Sequence, residues 1–487
     1  MRSSARRGVA TLRGDAPTGP LPKREVLRRT PYRDPRLARA VREERDVEAA
    51  LDLALGLAET MVRCGAGAPQ VEATIVAVAT AAGITDYDYD ITLQSLLVQA
   101  RTPSGQWVTR LRVVRDQRRD FARLARAHHL VDELVSGRVS IAEAAQIAEQ
   151  NAKTPRMWSA WVVAIASGLV AAGVAMMIGA GFQATIITLL SAILVEGLTG
   201  RLARNRLPDF YLSAVGGFLA LALAWTAYAL GGANLVSVTP ADFAAIMAGG
   251  IVALLPARSI ASALEDVIMG YWITGTARIF AVFFHTLGLI LGVAAGLAVV
   301  VALAQLLHLE LSPPSVERLG TASASLPLAV LGAAIIGFTG AVTMQSSRRF
   351  LLPSAAVTAM GVCLVWLAEH AAPLGRVTAV GIAALVIGFV CRVLALRLRA
   401  PAMVLAVPAS FGLLPGLSIF VGLYRLMVPA DGLRTSLDVQ VGVQGLASAL
   451  GVLVAIAAGT TLGDLLAAPL DSTAWQRRRA AAEPEES

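Results

Sequence analysis

The chain has 487 residues, 56% of them hydrophobic and 16% charged, with a mean hydropathy of +0.64. That balance excludes a disordered chain. The net charge of +8 does not mark a nucleic-acid binder, because much of the excess is arginine ahead of residue 45.

Residues 1–44 read as a basic disordered tail, carrying Arg2, Arg6, Arg7 and further arginines up to Arg39. Such an arm is solvated or drawn to anionic lipid headgroups. No apolar stretch follows its arginines, so it is not a secretory leader. Cysteine is sparse (Cys64, Cys363, Cys391) and no pair has metal-ligand spacing, so neither a zinc site nor structural disulfides are expected.

Residues 45–152 read as an α+β domain that is too polar for a bilayer. Val47, Leu51, Leu55, Ala58 and Val62 make a helical stripe, which Gly65 and Gly67 interrupt. Pro69 can open the next helix, and Gly83 closes it. Two β-rich stretches, 87–100 and 106–114, predict a hairpin around the turn at Thr102, Pro103 and Gly105. Phe121, Leu124, His128, Val131 and Val135 share one face of a further helix. Ser140 followed by Glu143 has the form of a capping box ahead of another. His128, His129, Asp132 and Glu133 lack the spacing of a helical metal site and predict a solvated face.

About ten stretches then approach the roughly 20 residues that a spanning helix needs. They are 158–179, 182–200, 210–231, 242–257, 279–305, 326–345, 351–370, 376–396, 402–428 and 442–468. The segment 257–277 carries Glu265 and Asp266 and reads as an interfacial or re-entrant connection. With the N-terminal domain in the cytoplasm, arginines such as Arg201, Arg204, Arg278, Arg348, Arg392 and Arg397 fall on cytoplasmic ends. Fewer, such as Arg318, Arg376 and Arg434, fall outside. Both termini are then cytoplasmic, in a multi-pass protein of the inner (cytoplasmic) membrane.

Leu254-Leu255-Pro256 and Leu413-Leu414-Pro415 occur in the fourth span of each run of five. Five is odd, so two such runs enter the membrane in opposite senses, as inverted repeats do. The expected fold is a polytopic α-helical membrane protein of about ten transmembrane helices in two inverted five-helix repeats, with an N-terminal α+β cytoplasmic domain. The first repeat covers 153–305, the second 306–470, and a cytoplasmic tail 471–487. Pro256, Pro408 and Pro415 each remove a backbone donor, and Gly416 loosens the chain further. A break at Pro256 or Pro415 would bare backbone groups able to receive a small zwitterion; the alternative at each is a plain kink, the preferred reading at Pro408.

Charged groups in this setting are candidate pathway residues. Glu196 is one, or else it pairs with Arg201 or Arg204. Asp266 binds substrate or a proton, or pairs with Arg258 or Arg278. His285 relays protons or is a structural histidine. Asp464 and Arg425 are weaker candidates, and Glu265 is expected to be solvated. Thr185, Thr188, Ser191, Thr339, Thr343 and Thr358 line a polar path or bond helix carbonyls.

Leu57-Ala58-Glu59-Thr60-Met61-Val62-Arg63-Cys64-Gly65 with Val71-Glu72, then Leu254-Leu255-Pro256, Ala263-Leu264-Glu265-Asp266, Gly270, Gly275 and Arg278, and finally Leu414-Pro415-Gly416, resemble the bacterial threonine/serine exporters, in particular their actinobacterial members. Gln70 stands where that family has arginine, and Ala257 where it has glycine. The resemblance implies secondary active export of threonine and serine from the cytoplasm, driven by the membrane's electrochemical gradient, with a proton expected as the coupling ion. It implies no cofactor, no metal and no nucleic-acid partner, and leaves a homo-oligomer open. A membrane-anchored hydrolase or a sensor built on the N-terminal domain is the alternative. Lys23 and Lys153 complete no phosphate loop, so an ATP-driven pump is not expected.

Overall fold

A computed structural model describes residues 44–92, 94–114, 120–254, 257–306, 324–371, 374–427 and 436–470. The basic tail, the C-terminal tail and Pro256 lie outside the described residues. Helix α1 (Glu44–Arg63) buries the predicted stripe from Val47 to Val62. Gly65, at φ 84°, takes the left-handed turn that ends it. Helix α2 (Ala68–Ala81) follows, with proline in its first turn.

The predicted two-strand hairpin is a three-stranded antiparallel sheet: β1 (Tyr87–Thr92), β2 (Ser95–Arg101) and β3 (Trp107–Val113), in that order. The first β-rich stretch reverses on itself, so Thr92 pairs with Ser95, while Arg101 pairs with Trp107 across the predicted turn. Leu96, Val98 and Ala100 of the central strand are buried, and α1 packs on β2 and β3. Helix α3 (Phe121–Val135) begins with Asp120 accepting from the Arg123 amide at 2.9 Å. Helix α4 (Ile141–Lys153) carries the predicted capping box of Ser140 and Glu143.

The apolar helices come next: α5 (Ala160–Ile178), α6 (Phe182–Arg204), α7 (Asp209–Gly232), α8 (Pro240–Leu254), α9 (Ala257–Ile268) and α10 (Trp272–Leu306). After these come α11 (Leu326–Thr343), α12 (Leu351–Ala371), α13 (Arg376–Leu398), α14 (Met403–Ser410), α15 (Gly416–Met427) and α16 (Ser436–Ala467). Among the described residues, eight helices are long and apolar enough to cross a membrane. Counting the pair 403–413 and 416–426, bent by 47°, as one span gives nine. The protein is therefore a polytopic helical membrane protein.

The expected span at 242–257 appears as α8, 15 residues long. At about 1.5 Å per residue it falls short of the roughly 30 Å hydrocarbon layer. The expected fifth span starts earlier than the apolar run suggested, at Trp272, because Gly270 at φ 95° already turns the chain. With 35 residues, α10 is about 50 Å long and overreaches a bilayer core.

Glycines record how the spans run. A Cβ on Gly173 would meet Ile336, and one on Gly332 would meet Met177, while Trp158 ahead of α5 bonds Gln345 beyond α11. Helices α5 and α11 are thus antiparallel. On α10, Gly288 and Gly292 press on the carbonyls of Phe210 and Ala214 of α7; on α16, Gly459 and Gly463 press on those of Gly381 and Leu385 of α13. Both pairs run parallel, with the partner equally far back in the sequence. Small residues permit this approach where lipid offers no hydrophobic drive between helices. The shorter helices meet as well: α8 packs on α15, and α9 on α14.

A Cβ on Gly292 would overlap the Ala214 carbonyl oxygen. Gly292→Ala is expected to lower the thermal midpoint of the detergent-solubilised protein, at a cost of about 1–3 kcal/mol. Gly200→Ala, where a Cβ meets nothing within 4 Å, leaves the midpoint in place.

Candidate functional site

The end of α8 and the bent α14–α15 pair each leave backbone groups to be satisfied. At the end of α8 the Leu254 carbonyl takes a hydrogen bond from His285 Nε2 at 2.9 Å. A carbonyl only accepts, so the Nε2 of His285 carries the proton. His285 therefore has a structural partner, at the first break. At the second, α14 contains Pro408 without interruption. A tight turn, Phe411–Leu413, then leads to the buried Pro415 and Gly416, where α15 starts. The Gly416 amide donates to Leu414 O at 3.0 Å and the Ile419 amide to Pro415 O at 3.0 Å. Gly340 of α11 and Thr358 of α12 flank this turn.

The densest polar cluster forms where α9 and α10 meet the N-terminal region. Gly67, at the start of α2, supplies no side-chain cap. Asp266 does so from far along the chain: its Oδ1 accepts from the Ala68 amide at 2.7 Å. Its Oδ2 lies 2.7 Å from Nη1 of Arg278, and both side chains are buried. Arg278 Nη2 donates to Ala66 O at 3.3 Å, and Ser262 Oγ to Gly65 O at 3.2 Å. The turn between α1 and α2 is thus clamped on three sides. A carboxylate at a helix N-terminus is favoured by the helix dipole and by the free amides there.

Glu265, expected to be solvated, is half-buried instead. A Cβ on Gly67 would stand 3.1 Å from its Oε2. It interacts electrostatically with Asp464, Asp266, Arg278 and Arg392. Arg392 of α13 pairs with Asp464 of α16 at 3.2 Å. His128 of α3 senses Arg392; burial first, and then that guanidinium, hold its imidazole at about 3, so it stays neutral.

A second attachment holds α3. Its first amides, from Phe121 and Ala122, donate to Met344 O and Gln345 O at the end of α11, at 2.9 and 3.1 Å. The Gln345 side chain bonds Trp158 N and O, at 2.8 and 2.9 Å. At the opposite end of the bundle, Asp242 accepts from the Gly181 and Thr239 amides at 2.8 and 2.9 Å. Beside it Phe243 touches Trp225, Tyr228, Phe420 and Tyr424.

Of the predicted pathway residues, Asp266 and Arg278 touch each other, His285 lies two turns further along α10, and Pro415 and Gly416 sit at the second break. Pro256 and the Arg258 side chain lie outside the described ones. Glu196 is half-buried on α6. Thr185, Thr188, Thr339, Thr343 and Thr358 each bond a carbonyl of their own helix, as packing hydroxyls do. Ser262, Glu265, Gln345 and Arg392 were missed; only Arg392, a charge inside an apolar run, carried a signal.

The two sequence segments that meet in the clamp are the two that carry the resemblance in the first half. A family model described as "Putative threonine/serine exporter" matches residues 52–300, and one described as "Threonine/Serine exporter, ThrE" matches 329–466. The chain belongs to the threonine/serine exporter family. A "Probable threonine/serine exporter" of Mycobacterium tuberculosis is 32% identical over 430 residues, covering 86% of this chain and 77% of the relative. A "Threonine/serine exporter" of Corynebacterium glutamicum is 26% identical over 465 residues, covering 94% and 89%. No solved structure matches the chain. The family is one of exporters, so this chain is a membrane transporter and not an enzyme.

Removing Asp266 leaves Arg278 charged and buried without its partner. Asp266→Ala is expected to cost about 3–5 kcal/mol, as loss of one member of a buried pair does. It also exposes Arg63, next to the freed turn, to trypsin. Asp266→Ala with Arg278→Ala costs less than the two single changes together, which thermal midpoints and limited proteolysis would check.

Proposed function

We propose that this chain is a secondary active exporter that carries threonine and serine out of the cytoplasm, driven by a proton gradient. The observation that carries the reading is the paired breaks: α8–α9 and α14–α15 lie side by side, α8 against α15 and α9 against α14. In this reading α8 and α9 together make a broken tenth span, and each half of the molecule contributes one broken helix. The antiparallel α5 and α11 and the duplicated glycine seams support two inverted five-helix repeats.

Each break suits one end of a zwitterion. The N-terminus of α15, from Gly416, offers a positive dipole end to a carboxylate, and carbonyls near the ends of α8 and α14 offer acceptors to an ammonium. His285 then acts as a positioning residue that holds the α8 end in shape. Asp266 and Arg278 hold the N-terminal region against α9, on the cytoplasmic side set by the arginine distribution, with both termini inside. The names of the relatives supply the substrates.

Reconstituted vesicles test the reading. Labelled threonine and serine are expected to move against the direction of proton flow when a proton gradient is imposed and to stop when an uncoupler collapses it; no flux of either amino acid would end it. His285→Ala should slow transport and cost about 1–3 kcal/mol, by leaving the Leu254 carbonyl unsatisfied. His285→Gln, which keeps a donor, should recover part of both.

A further inference from the structure

The charge cluster at the inner end of α9 contains three carboxylates and two guanidiniums: Glu265, Asp266 and Asp464 with Arg278 and Arg392. Geometry assigns the guanidiniums. Arg278 lies 2.7 Å from Asp266, and Arg392 lies 3.2 Å from Asp464. Among the described residues Glu265 pairs with neither guanidinium, and it packs against the Gly67 backbone. The groups facing it are Asp266 on its own helix, Arg278 from α10, Asp464 from α16 and Arg392 from α13. Helix α14, also packed on α9, carries no ionisable side chain. The turn above it presents only Gly65, Ala66, Gly67 and Ala68. His128, which senses Arg392, is held neutral and takes up no second proton at working pH.

The geometry points to Glu265 as the site that binds the coupling proton, at the junction of both halves of the bundle and the N-terminal region. A carboxylate half out of water, with two neighbouring acids and no arginine of its own, is stabilised by taking up a proton. Its helix is the inner arm of a broken span, so loading and unloading Glu265 changes the charge on the element that moves. The assignment rests on the proton-driven reading above.

The test compares wild type with Glu265→Gln, each as full chain in vesicles. Two readouts are taken: threonine homoexchange without a gradient, and threonine accumulation driven by a pH difference. Wild type is expected to do both. Glu265→Gln is expected to keep exchange and lose accumulation, since a permanently neutral side chain still cycles but moves no proton. Accumulation at the wild-type level in Glu265→Gln would overturn the assignment. So would loss of exchange together with accumulation in a variant that elutes as folded protein. If Glu265→Gln does not fold, Glu265→Asp decides: a moved pH midpoint of accumulation is expected, and an unmoved one overturns it. A wild type that exchanges threonine but ignores the pH difference would instead refute proton coupling, and one that moves none would refute the exporter reading.

Discussion

The structure hinges on one buried ion pair. Asp266 and Arg278 are both out of water, a situation that costs several kcal/mol per ion unless the remaining hydrogen-bonding capacity is used. Here it is used in part: one carboxylate oxygen takes the Ala68 amide and the guanidinium reaches the Ala66 carbonyl, while Arg278 Nε finds no hydrogen-bond partner among the described residues. The pair therefore does not merely tie α9 to α10. It completes a helix of the N-terminal region, whose own sequence offers glycine where a capping side chain would stand. Two distant stretches of chain become one local structure, and the amphipathic α9 can bring two adjacent carboxylates into the bundle.

Around that point the bundle divides into rigid and yielding parts. The α7–α10 and α13–α16 pairs are zipped by glycines seated on carbonyls, and any side chain there would force the helices apart. The end of α8 and the α14–α15 turn are held differently. Their backbone is satisfied by single contacts, His285 on Leu254 in one and a tight turn wedged between α11 and α12 in the other.

Much of this was legible in the sequence because it is local. The stripe of α1, the capping box of α4, the turn between β2 and β3 and eight long apolar helices follow from spacing and composition over a few turns. The extra strand was lost because the β-rich stretch contains no glycine or proline at its reversal. The start of α10 was misplaced because Thr274, Thr276 and Arg278 look polar for a span, yet they belong to a helix that projects beyond the apolar layer. Asp266 and Arg278 were visible as charges in an apolar chain, whereas Glu265 looked like a surface residue. Its burial depends on a glycine nearly two hundred positions earlier, which no local pattern encodes. The threonines, read either as a polar path or as hydroxyls that bond helix carbonyls, make the second kind of contact.

The N-terminal region grips the bundle at two places of unequal strength. One grip, at α9 and α10, is charge-assisted; the other, at the end of α11, consists of neutral hydrogen bonds. Charged contacts of this kind are roughly twice as strong as neutral ones. If the two sets of helices tilt against each other, a single body bolted to both cannot follow both. The α11 grip yields first, and the region then travels with α9 like a cap hinged on one side.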